Sequence, residues 1–186
     1  LFIAANNYAG RAKYKFSVVR YGNVISSRGS VIPKFLEINK DKTQKFFPVT
    51  DLNMTRFLIS LEDGIKVVLF ALKNQVGGEI FVPKLPSVKI KDLCESINSK
   101  KKIKIVGVRP GEKIHEELIS SSESLNTYDI GKYYIVLPND NDSNKIKKIY
   151  QQKFKLKKFK ENFSYNSFDN LKNLNVKELS KILSIY

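Results

Sequence analysis

Apolar positions along this chain recur first at a helical and then at an extended period, and the alternation predicts an α/β protein. Leu1, Ile3, Ala4, Ala5 and Tyr8 form the apolar side of the last turns of a helix, with Gly10 placed to end it. An N-cap and first turn for this helix are not in the sequence, which leads to the expectation of the downstream piece of a longer protein. Phe16 to Arg20 reads as a buried strand that loses regularity at Gly22, and a helix follows over Ile32 to Asn39, with Pro33 suited to its first turn. Lys40-Asp41-Lys42 breaks the pattern, Phe46-Phe47 is a short extended piece ending at Pro48, and Asp51 to Ile59 reads as a linker. Ser60 and Asp63, in capping-box register, open a helix expected to bury Ile65, Val68, Leu69 and Leu72 and to stop before Gly77-Gly78.

Glu79 to Val82 is then a strand closed by Pro83, Lys91 to Asn98 a short amphipathic helix, and Ile103 to Val108 another strand. The turn Arg109-Pro110-Gly111-Glu112 leads into an expected helix from Ile114 to Ser120, and Tyr133 to Leu137 is the last strand. Beyond Pro138 the composition shifts to Asn, Asp, Ser and Lys, a linker, before Asn175 and Glu178 cap a closing helix through Leu183. Helices and strands alternate throughout and no internal repeat is visible.

Composition bounds the class. With 186 residues and 42% hydrophobic content the chain can bury a substantial core, in one large or two small domains. No apolar run is long enough to cross a bilayer, and the first residues lack a basic n-region and cleavage site. The single Cys94 excludes an internal disulfide and fits a reducing compartment, so a cytoplasmic location is expected. A net charge of +15 raises the question of nucleic acid. Only five of the 33 basic residues are arginines, and the lysines are scattered among Asn and Ile, which favours a solvated basic surface; nucleic acid is not an expected partner. The dense cluster Lys145 to Lys160 has eight lysines and no acid; its Tyr150, Phe154 and Phe159 are at spacings that fit the buried side of an amphipathic segment better than base stacking.

Candidate chemistry concentrates at Arg20 to Pro33, which places flexible backbone, an amide and guanidinium groups between a strand and a helix, the setting of a diphosphate or sugar-nucleotide site. Asn23 could equally be an asparagine tolerating a left-handed turn after Gly22; a plain strand-to-helix connection accounts for Gly29 and Pro33 but not for Arg28. His115, the only histidine, has no partner constellation in the sequence and is not assigned an acid-base role, while Glu116 and Glu117 are expected to face solvent or pair with lysines. One Cys and one His cannot supply a metal site, and Cys94, on the apolar side of its helix, is expected to be buried and inert.

Four strings, Arg20 to Pro33, Met54-Thr55-Arg56-Phe57, Gly77 to Lys84 and Val108 to Leu118, together resemble the C-terminal half of the inverting UDP-N-acetylglucosamine 4,6-dehydratases, extended short-chain dehydrogenases of polysaccharide and glycan biosynthesis. The resemblance covers residues 1–138, and implies the C-terminal part of a Rossmann domain interleaved with a smaller nucleotide-sugar-binding domain; residues 139–186 form a basic extension with a closing helix. It implies NADP as cofactor, with Tyr21 and Val24 beside it, and a UDP-sugar held by Asn23, by the segment Arg28, Gly29, Ser30, Val31 and Ile32, by Arg56 and Arg109 at the diphosphate, and by Glu112 at the uridine hydroxyls. The family's glycine-rich dinucleotide loop and Tyr-x-x-x-Lys pair have no counterpart in these residues, so no catalytic residue is assigned and the chain is not expected to act alone. A related UDP-sugar epimerase, or a non-catalytic UDP-sugar-binding or assembly module, are the alternatives, and a homo-oligomer or association with an N-terminal half is expected. Ser26 stands where many members have glycine.

Overall fold

Two short apolar runs far apart in sequence, Val18-Val19 and Ile80-Phe81, pair in parallel, and a parallel pair needs a long crossover, usually helical, to bring the chain back. The computed structural model describes residues 1–8, 14–139 and 143–185; Gly10, expected to end the first helix, and part of the linker beyond Pro138 lie outside the described residues. In chain order the elements are α1 (Phe2–Ala5), β1 (Val18–Val19), β2 (Asn23–Val24), α2 (Val31–Lys40), β3 (Phe46–Val49), β4 (Thr55–Ile59), α3 (Leu61–Asn74), β5 (Ile80–Pro83), β6 (Ser87–Lys89), α4 (Ile90–Ile97), β7 (Lys102–Ile105), β8 (Glu117–Ile119), β9 (Thr127–Asp129), β10 (Tyr133–Val136), α5 (Ser143–Lys153), β11 (Lys157–Lys158), β12 (Tyr165–Asn166) and α6 (Val176–Leu183). They fall into two compact units: Leu1–Tyr21, Glu62–Lys84 and Leu118–Tyr165 make the first, Gly22–Leu61, Leu85–Glu117 and Asn166–Tyr186 the second.

In the first unit β1, β5, β10, β9 and β11 lie side by side, β1 parallel to β5 and the rest antiparallel. Phe81, Ile135, Tyr150 and Ala71 form its core. Two aromatic residues of the basic segment serve that core as expected, Tyr150 fully buried and Phe154 with its ring 5.8 Å from that of Phe70, whereas Phe159 stacks on Phe163 and against Tyr134. A carboxylate ties the unit together. Glu79, fully buried, accepts from the Val76 and Gly77 N–H groups at 2.7 and 2.8 Å and from the Tyr150 hydroxyl at 3.1 Å, while that hydroxyl lies 3.0 Å from the Asn74 carbonyl at the end of α3. Gly77, at φ +125°, lets the backbone curl around the carboxylate.

In the second unit β2, β4 and β6 form one sheet and β3 pairs in parallel with β7. Ile32, Phe35, Phe47, Leu58, Leu93 and Leu179 meet in a core to which α2, α4 and α6 each contribute. The Asn175–Glu178 capping box of α6 is formed as expected.

Three expectations are corrected. Asp51 to Ile59 is not all linker, because Thr55-Arg56-Phe57-Leu58-Ile59, a β-branched and aromatic run, is a central strand paired on both sides. Ile114 to Ser120 is not a helix: the Ile114 carbonyl accepts from Thr55 N and the Glu116 carbonyl from Ser167 N, so this backbone is spent on bonds outside its own segment. On α3 the small residues Gly64, Val67 and Ala71 are buried, and Ile65, Val68, Leu69 and Leu72 are exposed. Replacing Tyr150 by Phe leaves Glu79 and Asn74 without the hydroxyl and is expected to cost about 1–2 kcal/mol in urea unfolding at neutral pH.

Candidate substrate site

Gly22 opens the site by having no side chain. A Cβ there would sit 2.6 Å from the Phe57 carbonyl oxygen, so only glycine lets the chain enter β2 this close to β4. Asn23 and Val24 then pair in parallel register with Leu58 and Ile59, and Asn23 has extended backbone; the left-handed non-glycine residues described are Ser26 and Asn162. The left-handed turn reading of Asn23 is thereby set aside.

Around this strand pair gather charges from distant parts of the sequence. Glu116, half-buried, accepts from the Phe57 N–H at 2.9 Å, and with its amide oriented to donate, Asn23 Nδ2 lies 2.7 Å from the same carboxylate. Burial pushes the Glu116 carboxyl above its ordinary range, outweighing the Phe57 N–H and the Arg56 guanidinium, which pull it down. The expectation that Glu116 faces solvent is corrected; Glu117 is exposed.

Arg56 projects from β4 with its side chain only 12% exposed. Its Nη1 donates to the Thr55 and Ile114 carbonyls at 2.7 and 3.0 Å, which fixes the plane of the fork. Glu116 and Glu112 stand 3.7 and 3.9 Å away, at ion-pair rather than hydrogen-bond distance. Glu112 also takes the Thr50 hydroxyl at 3.3 Å, and its backbone N–H closes the Arg109 turn at 3.0 Å. The Arg109 side chain is exposed at that turn.

His115, expected to have no partner, has one. Its Nδ1 is 2.8 Å from Thr55 Oγ1, which is 2.6 Å from Ser167 Oγ, and that oxygen accepts from Glu116 N at 2.9 Å. The imidazole packs on Phe168 with ring centroids 4.7 Å apart, beside a cavity of about 340 Å³ that Lys113, Asn166 and Asp169 also line. Neither Thr55 nor Ser167 was singled out in the sequence; the β-forming run at Thr55 was the available signal, whereas nothing local marks Ser167.

The loop before α2 is tight. Ser26 adopts φ 59° and Gly29 φ 76°, and Ser30 is the N-cap of α2, its buried hydroxyl without a hydrogen-bond partner among the described residues. Arg28 and Gly29 are exposed, Val31 is half-buried in the first turn, and Ile32 is 2% exposed, its side chain in the core. Asn23, Arg56 and Glu112 are thus gathered with Glu116; Arg28 to Ile32 form a separate rim at the helix N-terminus, and Val24 is half-buried in β2. Tyr21, exposed, and Arg20 belong to the first unit, where Arg20 donates to Glu123 at 2.8 and 2.9 Å and to the Leu118 carbonyl. Burial raises the Glu123 carboxyl, but Arg20 and the Ser120 N–H and hydroxyl outweigh it and hold it below its ordinary range. Burial pushes the Cys94 thiol up to about 12, so it is inert as expected. Among the described residues no cluster of three metal-ligating side chains occurs, and no helix is long and apolar enough to cross a membrane.

This is a sheet-and-helix protein with an arginine–carboxylate cluster at a strand end, and its fold is the C-terminal part of an extended short-chain dehydrogenase. The family model described as polysaccharide biosynthesis protein matches residues 1–138, and the chain belongs to that family. It is 45% identical to a UDP-N-acetylglucosamine 4,6-dehydratase (inverting) of Campylobacter jejuni over 99% of this chain and 55% of that protein. It is 40% identical to a UDP-glucose 4-epimerase of Rickettsia bellii over 98% of this chain and 53% of that one. The X-ray structure of Pen from Bacillus thuringiensis superposes with a TM-score of 0.80 at 29% identity, covering 100% of this chain and 54% of Pen. The chain thus spans about half the length of the curated relatives it matches, and corresponds to their C-terminal portion.

Two outcomes are expected. A carboxyl raised in the folded state adds stability below its unfolded value near 4.5 and loses that contribution as pH rises through the folded value, so the advantage of the wild type over Glu116→Gln should shrink from pH 4.5 upward in urea unfolding. Ser26→Gly should raise stability by roughly 0.5–1 kcal/mol in the same assay, the left-handed penalty less the entropy glycine adds to the unfolded chain.

Proposed function

We propose that this chain is the substrate-binding portion of an NADP-dependent, C5-inverting UDP-N-acetylglucosamine 4,6-dehydratase of surface polysaccharide or glycan biosynthesis, working in the cytoplasm as part of a homo-oligomer or with an N-terminal half. The observation that carries the reading is Arg56: a nearly buried guanidinium, held in plane by two carbonyls at a strand end, beside Asn23 and Glu112. Such a fork is built in advance for a bidentate oxyanion, and binding a diphosphate then costs little side-chain ordering. The 45% identity to a dehydratase supports the same reading.

In this reading Arg56 and Arg109 hold the diphosphate, Glu112 accepts from the uridine ribose hydroxyls, and Asn23 contacts the sugar. Arg28, Gly29, Ser30, Val31 and Ile32 contribute backbone and the N-terminal end of α2. NADP, when bound, would supply the hydride chemistry at the sugar, and Tyr21 and Val24 are the residues of this chain that would lie beside it. The residues present do not fit a whole dinucleotide: the sequence contains no G-x-G-x-x-G, and only Tyr21 and Val24 are assigned to the cofactor. No step of hydride transfer is therefore assigned to this chain's own residues, and the chain by itself is proposed to bind substrate without turnover.

A second reading, a UDP-sugar epimerase portion, is favoured by the Rickettsia relative's name and uses the same arginines. Calorimetric titration of the chain with UDP-N-acetylglucosamine, UDP-glucose and UDP separates them. Tighter binding of the N-acetylated sugar, weakened about tenfold by Arg56→Lys, is the expected result. Preference for UDP-glucose supports the epimerase, and no binding of any of the three overturns a nucleotide-sugar site.

A further inference from the structure

The two edges of the Arg56 guanidinium are treated differently. Nη1 is engaged by the Thr55 and Ile114 carbonyls at 2.7 and 3.0 Å. Nε and Nη2 form the edge that grips an oxyanion in two places, and they make no hydrogen bond among the described residues. Carboxylates stand off that edge instead, Glu116 Oε1 at 3.7 Å from Nε and Glu112 Oε1 at 3.9 Å from Nη2. A diphosphate seated there brings its negative charge against two carboxylates. Like charges at this range disfavour one another unless one of them is neutralised.

Glu116 is placed to give up its charge without moving. Its Oε2 accepts from the Phe57 N–H at 2.9 Å, a bond that the neutral acid keeps. Its Oε1 lies 2.7 Å from the Asn23 amide, which donates to the carboxylate through Nδ2. Turned over, the same amide presents Oδ1 at that place, and Oδ1 accepts from a protonated Oε1. A primary amide serves either form of its neighbour because it carries a donor and an acceptor. Burial also pushes the Glu116 carboxyl above its ordinary range. Glu112 is set differently, with the Thr50 hydroxyl at 3.3 Å and the Arg109 N–H at 3.4 Å, and no amide side chain among the described residues bonds to it. The groups that face Glu116 are Arg56 from β4 and the neutral Asn23 from β2. Across the cavity of about 340 Å³ lie Asp169, from the segment after β12, and Lys113, His115 and Glu117 of its own segment.

We infer that Glu116 is the proton acceptor coupled to the Arg56 fork: when a diphosphate takes the Nε–Nη2 edge, Glu116 Oε1 takes up a proton from solvent and donates it in a hydrogen bond to Asn23 Oδ1. The Asn23 amide turns over in the same step, so its Nδ2 becomes available to the sugar. The inference rests on the nucleotide-sugar reading of this site and adds to it a protonation that the ligand drives. Its sign follows from linkage. A ligand that raises a carboxyl's pKa binds more tightly as pH falls, by up to about tenfold per unit between the bound and free values, and the gain is complete below the free value.

Calorimetric titration of the 186-residue chain with UDP-N-acetylglucosamine tests it, in buffers of different ionisation enthalpy at each pH from about 5 to 8. This ligand's diphosphate is esterified at both ends and exchanges no proton near neutral pH, whereas the terminal phosphate of UDP titrates near about pH 6. The dependence of the observed enthalpy on the buffer counts the protons taken up. The wild type should take up a proton, reaching at least about half of one per site, and its Kd should fall severalfold from the top of the range to the bottom. Glu116→Gln should bind with no uptake and a Kd that does not change with pH, while Glu117→Gln, one residue along, should keep the wild-type uptake. The carboxyl carbon of Glu116 in a 13C-glutamate-labelled wild type, which needs no substitution, should move toward the neutral-acid position when the ligand is added. Binding with equal enthalpy in every buffer and an unmoved carboxyl signal overturn the inference and leave the nucleotide-sugar site standing. Uptake that survives Glu116→Gln and is lost in His115→Gln puts the proton on the imidazole and overturns it as well. No binding at any pH overturns both the inference and the site.

Discussion

The candidate site depends on where one carboxylate goes. Glu116 is drawn out of water, and a half-buried carboxylate must find donors or take up a proton. It finds the backbone N–H of Phe57 on β4 and the amide of Asn23 on β2, with Arg56 across the strand. Those contacts fasten the segment Ile114 to Glu116 across the ends of two parallel strands. The two Arg56 bonds to the Thr55 and Ile114 carbonyls then follow from the same placement. The guanidinium is oriented by backbone, which leaves Glu112 and Glu116 as neighbours whose charge a ligand's phosphates would replace only at an electrostatic cost.

The first unit solves a similar problem with a different result. Glu79 is fully buried, yet its partners are two turn N–H groups and a tyrosine hydroxyl, all within one unit and all structural. Arg20 shows the same separation of roles. It stands at the head of the string Arg20 to Pro33, but its fork is engaged by Glu123. A motif read as continuous is divided by the fold into an ion pair of the first unit and the loop before α2 of the second.

How far the site was legible follows the range of the forces involved. Asn23, Arg56 and Glu112 were singled out because the short strings that carry them resemble those of a known family. Gly22 was noticed as a break, though its reason is the Phe57 carbonyl beside it. Glu116 and His115 were passed over because their partners, Asn23, Phe57, Thr55 and Ser167, lie about fifty to ninety residues away and no local spacing announces them. The strand at Thr55 to Ile59 was missed for a related reason: a charged residue in its middle and a turn-forming stretch before it hid a run that pairing on both sides makes central.

The sequence by itself determined the alternation of helices and strands, which rests on local periodicity, and the family, which rests on four short strings. Which face of α3 is buried was decided only in three dimensions. Apolar spacing says that a helix has a side to hide, and it pointed to Ile65, Val68, Leu69 and Leu72, which the fold leaves exposed. It cannot say which partner hides it. The first unit takes the small residues Gly64, Val67 and Ala71, because only a narrow face lets the helix approach closely, and the larger residues stay exposed.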